Sequence, residues 1–229
     1  MEKISNEKEI VTPGEVLCKG MDFLPGDGTY RKDEDVLSNY LGAVQFRDRL
    51  VKVVPLRGKY VPKKNDIVIG EISSVSHSNW TVDINSPYSG ILPISEATDE
   101  YIDLSEDDIT EYFDIGDLVA IKITKVTKGK DVQLSMKDKM CRKFKKGKAI
   151  EIPPTKIPRL IGKKGSMINT IKKKTSCSII AGQNGRIWVS GENENLAVEA
   201  IKKVDREAHT NGLTDEISQW LDERTGGEE

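Results

Sequence analysis

Short apolar runs separated by turn residues fill the first part of the chain. Leu50–Val54 is one of these runs, and the turn signals Pro13-Gly14 and Pro25–Gly28 lie upstream of it. Glycine and proline at this density interrupt helices and favour short strands joined by turns. Residues 1–63 are therefore predicted to form a small N-terminal β domain.

Five short strands are predicted in residues 64–138, because apolar residues recur there in short runs with partial alternation. The runs are Asp66–Val75, Trp80–Ile84, Ser89–Pro93, Asp117–Val126 and Asp131–Ser135. A longer polar insertion separates the third run from the fourth, and a turn at Lys128–Lys130 joins the last two. Five strands with this spacing are typical of an OB barrel.

A different pattern occupies residues 149–212, where strand-like runs alternate with segments of helical periodicity. The predicted order is strand Ala149–Ile152, helix Lys156–Ile161, helix Ser166–Lys174, strand Ser178–Ala181, strand Arg186–Val189 and helix Asn193–Ala208. This β-α-α-β-β-α order predicts a compact α+β domain. The chain as a whole is thus predicted to be multidomain, mainly β with an α+β part.

Two further segments complete the organisation. Residues 139–148 are rich in lysine and are predicted to form a basic linker between the barrel and the α+β domain. The C-terminal tail, residues 213–229, has apolar side chains spaced along one side of a helix, at Leu213, Ile217, Trp220 and Leu221. We expect this helix to pack on the body of the protein and the last few residues to fray.

Two glycines frame two lysines between the first two helices of the α+β domain, at Gly162, Lys163, Lys164 and Gly165, directly after Ile161. Glycine lets a backbone approach a ligand closely. The helix that follows begins with free N–H groups and the positive end of its dipole. Such a loop with lysines suits the clamping of a sugar–phosphate backbone.

The tetrapeptide alone is a weak signal, because about 1.6 Gly-x-x-Gly matches are expected by chance from 19 glycines in 229 residues. A second match, Gly182–Gly185, lies between two predicted strands. A hairpin turn accounts for that one fully. The first match is distinguished by its place between two helices.

Charge is segregated along the chain, although the formal net charge is only −2. Between Lys139 and Lys174 there are 13 basic residues and one acid, whereas Glu96–Asp117 holds ten acids and no lysine or arginine. This asymmetry predicts a basic surface for nucleic acid and an acidic face turned elsewhere.

Cysteine and histidine are too few and too scattered for a zinc site, with three cysteines and two histidines far apart in sequence. We therefore expect no metal and no cofactor. The N-terminus is charged and no apolar run is long. We therefore expect neither a signal peptide nor a membrane span. Free thiols are compatible with a reducing cytoplasm.

These modules, in this order, resemble the S1/KH cap subunits of the archaeal RNA exosome, which combine an N-terminal β domain, an S1-type OB barrel and a type I KH domain. The resemblance spans roughly residues 10–210. The residues that carry it are Val11–Glu15, Gly26–Tyr30, Pro55–Pro62, Asp66–Gly70, Gly90–Ser95 and Ile161–Gly165.

The resemblance implies a non-catalytic role in a larger assembly. Three caps would sit on a hexameric ring of RNase PH-like subunits, with the N-terminal domains docked on the ring and the barrels around the channel entrance. Single-stranded RNA would be captured and threaded 3′ end first, and the ring would cleave it. A preference for A-rich tails is known for the family, and the sequence neither supports nor opposes it.

The barrel departs from the S1 pattern at the positions that usually bind RNA. The two stacking aromatics and the histidine fall on Ser78, Thr81 and Pro93, and the later acidic and basic positions fall on Thr127 and Asp131. Alternation aims the neighbouring Trp80 at the opposite face, so we expect it to pack in the barrel. Base stacking on this face is therefore predicted to be weak.

What remains for RNA in the barrel is loop polarity and charge, at His77 and Asn79 in one turn and at Lys128 and Lys130 in another. The alternative interpretation is that these side chains are exposed to water as in any turn and do not contact RNA. In the KH domain the family roles carry over to Gly162–Gly165, with Ile161 and Arg159 beside the loop. Further groove candidates that can equally be core residues are Ile157, Ile168 and Ile179.

Two other functions remain open from the sequence. An intrinsic exoribonuclease would need carboxylates that converge in a pocket, whereas Glu106-Asp107-Asp108 is a consecutive run whose side chains face several directions. A transcription or translation factor of S1-plus-KH type usually carries two KH units, and only one Gly-x-x-Gly here has that context. We predict no catalytic residue.

Overall fold

The computed structural model describes residues 2–98, 109–208 and 212–225. The chain divides into two compact units, residues 1–58 and residues 59–229. Each unit is built around its own hydrophobic clusters.

The N-terminal unit consists of two four-stranded sheets, ordered β1-β3-β6-β5 and β2-β7-β8-β4. Its strands are β1 (Glu2–Lys3), β2 (Ile10–Val11), β3 (Val16–Lys19), β4 (Leu24–Pro25), β5 (Thr29–Lys32), β6 (Asp35–Ser38), β7 (Gly42–Arg47) and β8 (Leu50–Pro55). Alternation in β8 buries Val51 and Val53 in the core and leaves Val54 exposed. The turn before β5 requires glycine, because Gly28 has φ +76° and a Cβ there would lie 2.4 Å from the Val53 carbonyl oxygen.

The second unit begins with a closed barrel. Its elements are β9 (Ile67–Ser76), β10 (Asn79–Asp83), β11 (Gly90–Pro93), α1 (Ile94–Ala97), β12 (Leu118–Val126), β13 (Val132–Ser135) and β14 (Arg142–Lys143), with a 3-10 turn at Ile109–Glu111. β12 pairs with both β9 and β13, and β13 pairs in parallel with β11. This closes a five-stranded OB-like barrel and confirms the predicted fold.

Trp80 lies at the centre of the barrel core and is fully buried. Its indole N–H donates to the Phe113 carbonyl oxygen at 2.9 Å, and the two rings meet edge to face with centroids 5.4 Å apart. A buried tryptophan needs such an acceptor. The prediction from alternation, that this side chain packs in the barrel, is confirmed.

The last domain has the predicted β-α-α-β-β-α order. Its elements are β15 (Lys148–Glu151), α2 (Ile157–Ile161), α3 (Ser166–Thr175), β16 (Cys177–Ala181), β17 (Arg186–Gly191), α4 (Glu194–Arg206) and α5 (Leu213–Thr225), with 3-10 turns at Pro154–Lys156 and Lys163–Gly165. The sheet order is β15-β17-β16. Ile179 and Ile187 pack with the helices, while Ile180 and Trp188 point to the other face of the sheet, toward the barrel.

Helix α5 packs on the body of the domain, as the spacing of its apolar residues predicts. Leu213, Ile217 and Leu221 are fully buried in the same cluster as the sheet and α3. Asp222 of α5 pairs with the Lys174 ammonium at the end of α3. Lys174 is thereby held in a structural contact.

The segment predicted as a basic linker is folded onto its neighbours. Strand β14 pairs with Val119 and Ala120 of β12, so it extends the barrel sheet. Phe144 is buried and stacks on Trp188 of β17, with ring centroids 4.5 Å apart and planes 14° apart. One aromatic residue among the lysines therefore joins the barrel to the KH sheet.

Candidate nucleic-acid interface

The loop Gly162–Gly165 is a tight turn between α2 and α3. The Gly162 N–H donates to the Pro158 carbonyl oxygen at 3.0 Å and ends α2. Gly162 has φ +75°, and a Cβ there would lie 2.8 Å from the backbone nitrogen of Met167. This position therefore requires glycine for both conformation and space.

The two lysines of the loop are displayed to solvent. Lys163 and Lys164 are exposed, and Lys164 adopts left-handed φ and ψ angles of 56° and 28°. A non-glycine residue rarely adopts this conformation. Neither side chain forms an ion pair with any described residue, whereas Lys156 pairs with Asp205 at 2.6 Å. The loop thus presents two cations at the start of α3, where the helix dipole adds positive potential.

A further cation lies near the end of α3. Burial, and then the positive charge of Arg142 on β14, lower the pKa of Lys172. Arg142 belongs to the barrel sheet, whereas Lys172 belongs to the KH domain. Positive charges of the two domains are therefore close enough to act on each other.

The isoleucines beside the loop divide into core and surface. Ile157 and Ile179 are buried in the helix–sheet core, and Ile168 is 9% exposed. Ile161 is only half-buried, at the C-terminal end of α2, and so is Arg159 on the same helix. Of the four candidates for an apolar groove, Ile161 is therefore the one with a partly open side chain.

The first barrel turn, between β9 and β10, carries an exposed His77 and a half-buried Asn79. The second turn, between β12 and β13, carries exposed Lys128 and Lys130.

Thr127 and Asp131 close that second turn. The hydroxyl of Thr127 donates to the Asp131 carboxylate at 2.9 Å and accepts from the Asp131 N–H at 3.0 Å. The ammonium of Lys130 lies 5.9 Å from the centre of the Tyr88 ring, within reach of a cation–π contact. The Thr127 and Asp131 side chains therefore shape the turn between β12 and β13.

The two turns lie at opposite ends of the β10–β11 ladder. Asn79 pairs with Pro93 next to the first turn. Val82 pairs with Gly90, which in turn pairs with Val132 next to the second turn. The turns therefore flank the outer face of the barrel, where Thr81 sits opposite Ile91.

A joint between barrel and KH domain is the feature that the sequence analysis missed. Gly182–Gly185 is a hairpin turn between β16 and β17, as predicted, but it also bonds to the barrel. The buried Asn184 amide donates to the carbonyl oxygens of Ile69 and Ile84 at 2.7 and 2.8 Å and accepts from the Ile69 N–H at 3.2 Å.

An ionic contact borders this joint. The Arg186 guanidinium donates to the Asp83 carboxylate at 2.6 Å and to Glu151 at 3.0 Å. Burial of Arg186 opposes its charged form, but the two carboxylates raise its pKa. The joint fixes the KH domain to the barrel, so the Gly162–Gly165 loop has a set position relative to the barrel turns.

Several large apolar side chains of the N-terminal unit are exposed. Its large apolar side chains that are 37–68% exposed are Ile4, Ile10, Met21, Leu24, Tyr30, Tyr40, Leu41, Val54 and Leu56. The Leu56 N–H donates to the Leu41 carbonyl oxygen at 3.1 Å, and Val54 and Leu56 alternate to one side. Leu41, Val54 and Leu56, which the β7–β8 pairing places as neighbours, form what we call the apolar patch. Exposed apolar side chains that neighbour one another are candidates for a protein contact.

Within residues 2–98, 109–208 and 212–225, no three His, Cys, Asp or Glu side chains lie close enough to hold a metal ion. The acidic run Glu106–Asp108 lies outside the described residues. No helix in the described part of the chain is both long and apolar enough to cross a bilayer.

The N-terminal unit, the barrel and the KH domain each match a known protein family. Residues 10–47 match the family described as the N-terminal region of exosome complex exonuclease RRP4. Residues 59–125 match the S1 domain of RRP4, and residues 147–195 match the KH domain.

Whole-chain relatives agree with these matches. The chain is 44% identical over 225 residues to the exosome complex component Rrp4 of Methanothermobacter thermautotrophicus, covering 97% of this chain and 71% of that protein. It is 44% identical over 217 residues to Rrp4 of Methanothermus fervidus, covering 94% and 96%. A crystal structure assigned as an exosome complex RNA-binding protein superposes with a TM-score of 0.69 at 38% identity, covering 75% of this chain and 100% of that one.

Proposed function

Because the chain belongs to the Rrp4 family of exosome complex components, we propose that it is a non-catalytic RNA-binding cap. In this role it captures single-stranded RNA and guides its 3′ end into a ring of RNase PH-like subunits for 3′-to-5′ degradation. We propose three copies of the cap per ring, a cytoplasmic location and a preference for A-rich tails.

One observation carries the RNA-binding part of the proposal. The Gly162–Gly165 loop holds Lys163 and Lys164 exposed at the start of α3. Lysine ammoniums there can contact successive phosphates of a strand, and such contacts carry no base information. The half-buried Ile161 offers an apolar contact for a base beside them.

The barrel turns support guidance of a strand. His77 and Asn79 at one end of the β10–β11 ladder, and Lys128 and Lys130 at the other, border an outer face without an aromatic at Ser78, Thr81 or Pro93. Charge then dominates over base stacking, which suits a surface that guides the sugar–phosphate backbone of a strand.

The N-terminal unit supports docking on a protein ring. The apolar patch would be covered in a protein interface, which removes its apolar surface from water. Replacing Leu41 and Leu56 with serine should abolish co-purification with RNase PH-like subunits and leave RNA binding by the free chain unchanged. A variant that still assembles would place the ring contact elsewhere.

Titration of a labelled single-stranded oligoadenylate tests the RNA-binding role. The variant K163D/K164D should bind more weakly, and equally so for oligoadenylate and oligouridylate. The matched control is K19D/K32D, which makes the same charge change at exposed lysines of the N-terminal unit. Unchanged RNA affinity in K163D/K164D would show that the KH domain has a structural role only and that its loop does not bind RNA.

The alternative functions have separate readouts. An intrinsic exoribonuclease would shorten RNA as the purified chain alone, in phosphate and magnesium. A transcription or translation factor would not co-purify with RNase PH-like subunits. Our proposal predicts no shortening by the chain alone and co-purification with the ring.

A further inference from the structure

Arg142 and Lys172 come together where the barrel meets the KH domain. Arg142 lies on β14 of the barrel sheet and pairs with Ala120 of β12, whereas Lys172 lies on α3 of the KH domain. Burial is the larger cause of the lowered pKa of Lys172, and the positive charge of Arg142 is the second cause. The two cations are therefore close enough to repel each other.

Alternation along β14 explains how Arg142 reaches this position. Phe144, two residues further along, stacks on Trp188 of the KH sheet, and its N–H continues the ladder to β12 at 2.9 Å. Side chains two residues apart in a strand leave the same face, so Arg142 also faces the KH domain. Lys143 faces the other way, and its ammonium pairs with Asp117 of the barrel at 2.5 Å.

One face of α3 leads from the Gly162–Gly165 loop to Lys172. Positions 165, 169 and 172 are four and three residues apart, a spacing that places them on one side of a helix. The start of this face is tightly packed, because a Cβ on Gly165 would lie 3.2 Å from the amide nitrogen of Asn169. From Ser166 to Lys172 the helix rises about 9 Å. A strand held at the loop can therefore continue along this face to Lys172.

The charges of this pair are not neutralised by the protein. In the part of the chain that the structure describes, no carboxylate forms an ion pair with Arg142 or Lys172. Lys143 and Lys174, which lie on the same two elements, each pair with an aspartate. Two like charges held near each other without a counter-ion are unfavourable. An anion bound between them would relieve this repulsion.

A backbone phosphate of RNA has the chemistry that this pair requires. The planar guanidinium can donate two parallel hydrogen bonds to two phosphate oxygens, and the ammonium can donate to a third. The face of α3 that ends at this pair begins at the loop that we propose holds the RNA backbone. The same strand can therefore supply the phosphate.

We infer that Arg142 and Lys172 together bind one backbone phosphate of the RNA strand, which passes from the KH loop along α3 to the barrel. The inference rests on the proposed RNA-binding function and adds to it a contact that the two domains share. Neither domain alone would provide this site.

The variant R142Q/K172Q tests the site. Binding of a labelled oligoadenylate to the full chain is measured between 50 and 300 mM salt. Loss of one phosphate contact should make the slope of log K against log salt shallower by about 0.7. The control K32Q/R49Q removes one lysine and one arginine charge at exposed positions of the N-terminal unit and should keep the wild-type slope. The urea midpoint of R142Q/K172Q should not fall, because the substitutions remove a repulsion and no ion pair.

Lysine acetylation gives an independent readout. Saturating oligoadenylate should protect Lys172 in the wild-type chain, and this protection should be weaker in R142Q because the phosphate loses its second partner. The exposed Lys202 of α4 is the internal control and should react equally with and without RNA.

The outcomes separate this site from the proposed function. If the wild-type chain binds RNA but R142Q/K172Q keeps the wild-type slope, or RNA leaves Lys172 unprotected, the shared site is overturned and the proposed function stands. If the wild-type chain binds no RNA, both are overturned. A slope change of about 1.4 would mean two separate phosphates and would overturn the shared contact. Equal protection of Lys172 by inorganic phosphate without RNA would assign the pair to the free anion and would also overturn the inference.

Discussion

Replacing Asn184 with alanine removes the polar centre of the joint between barrel and KH domain. The side chain is fully buried and makes three hydrogen bonds, all to backbone groups of the barrel at Ile69 and Ile84. Alanine leaves one N–H and two carbonyl oxygens without that partner. These groups lie on β9 and directly after β10, inside the molecule.

The expected cost follows from those three bonds. Each contributes about 1 kcal/mol net, and a buried group left unpaired costs about 1–3 kcal/mol. We therefore expect N184A to lower the free energy of unfolding by about 3 kcal/mol, or more if no water enters the space.

Urea unfolding followed by tryptophan fluorescence measures this, because Trp188 stacks on Phe144 beside the joint. The control is Q183A, since the Gln183 side chain is exposed and its bond to the Ile67 carbonyl oxygen, at 3.0 Å, uses the backbone N–H that alanine keeps. Q183A should stay within about 0.5 kcal/mol of wild type. If N184A did the same, the joint would not be a stabilising contact and our account of it would be wrong.

Three further predictions concern the loop, the turns and pH. G162A should keep the far-UV circular dichroism of the fold but lose RNA affinity in a titration, because alanine at Gly162 strains a left-handed turn by about 1–3 kcal/mol; wild-type affinity would contradict this. K128E/K130E should weaken RNA binding to the assembled complex and make its salt slope shallower, and an unchanged slope would mean that Lys128 and Lys130 are only solvated. Burial, and then the hydrogen bond and charge of Asp66, raise the pKa of Tyr60, so its contribution to stability is present below pH 10 and is lost above it. Urea unfolding should show wild type losing up to about 1.4 kcal/mol per pH unit relative to Y60F above pH 10, and parallel curves would refute the burial of this hydroxyl.

Much of the fold was predictable because it depends on local patterns. The spacing of Leu213, Ile217 and Leu221 predicted a helix that packs on the body, and all three are buried. Alternation around Trp80 predicted its inward direction, and the order of elements around Gly162 predicted the KH fold. In each case the information lies within a few residues of the feature.

The joint depends on contacts between distant segments, and no local pattern in the sequence indicates it. Asn184 is polar and lies in a turn, which usually indicates solvent, but its partner Ile69 is 115 residues away. Phe144 looks like one apolar residue in a basic linker until its contact with Trp188 is known.

The central claim is that this chain holds RNA for a nuclease ring that cuts it. The most direct measurement is the rate at which purified RNase PH-like ring subunits shorten a long single-stranded RNA, with no cap, with this chain and with K163D/K164D. We predict that the chain accelerates shortening, that the variant assembles on the ring but accelerates less, and that the chain alone leaves RNA intact. An equal rate with and without the chain, or shortening by the chain alone, would contradict the account.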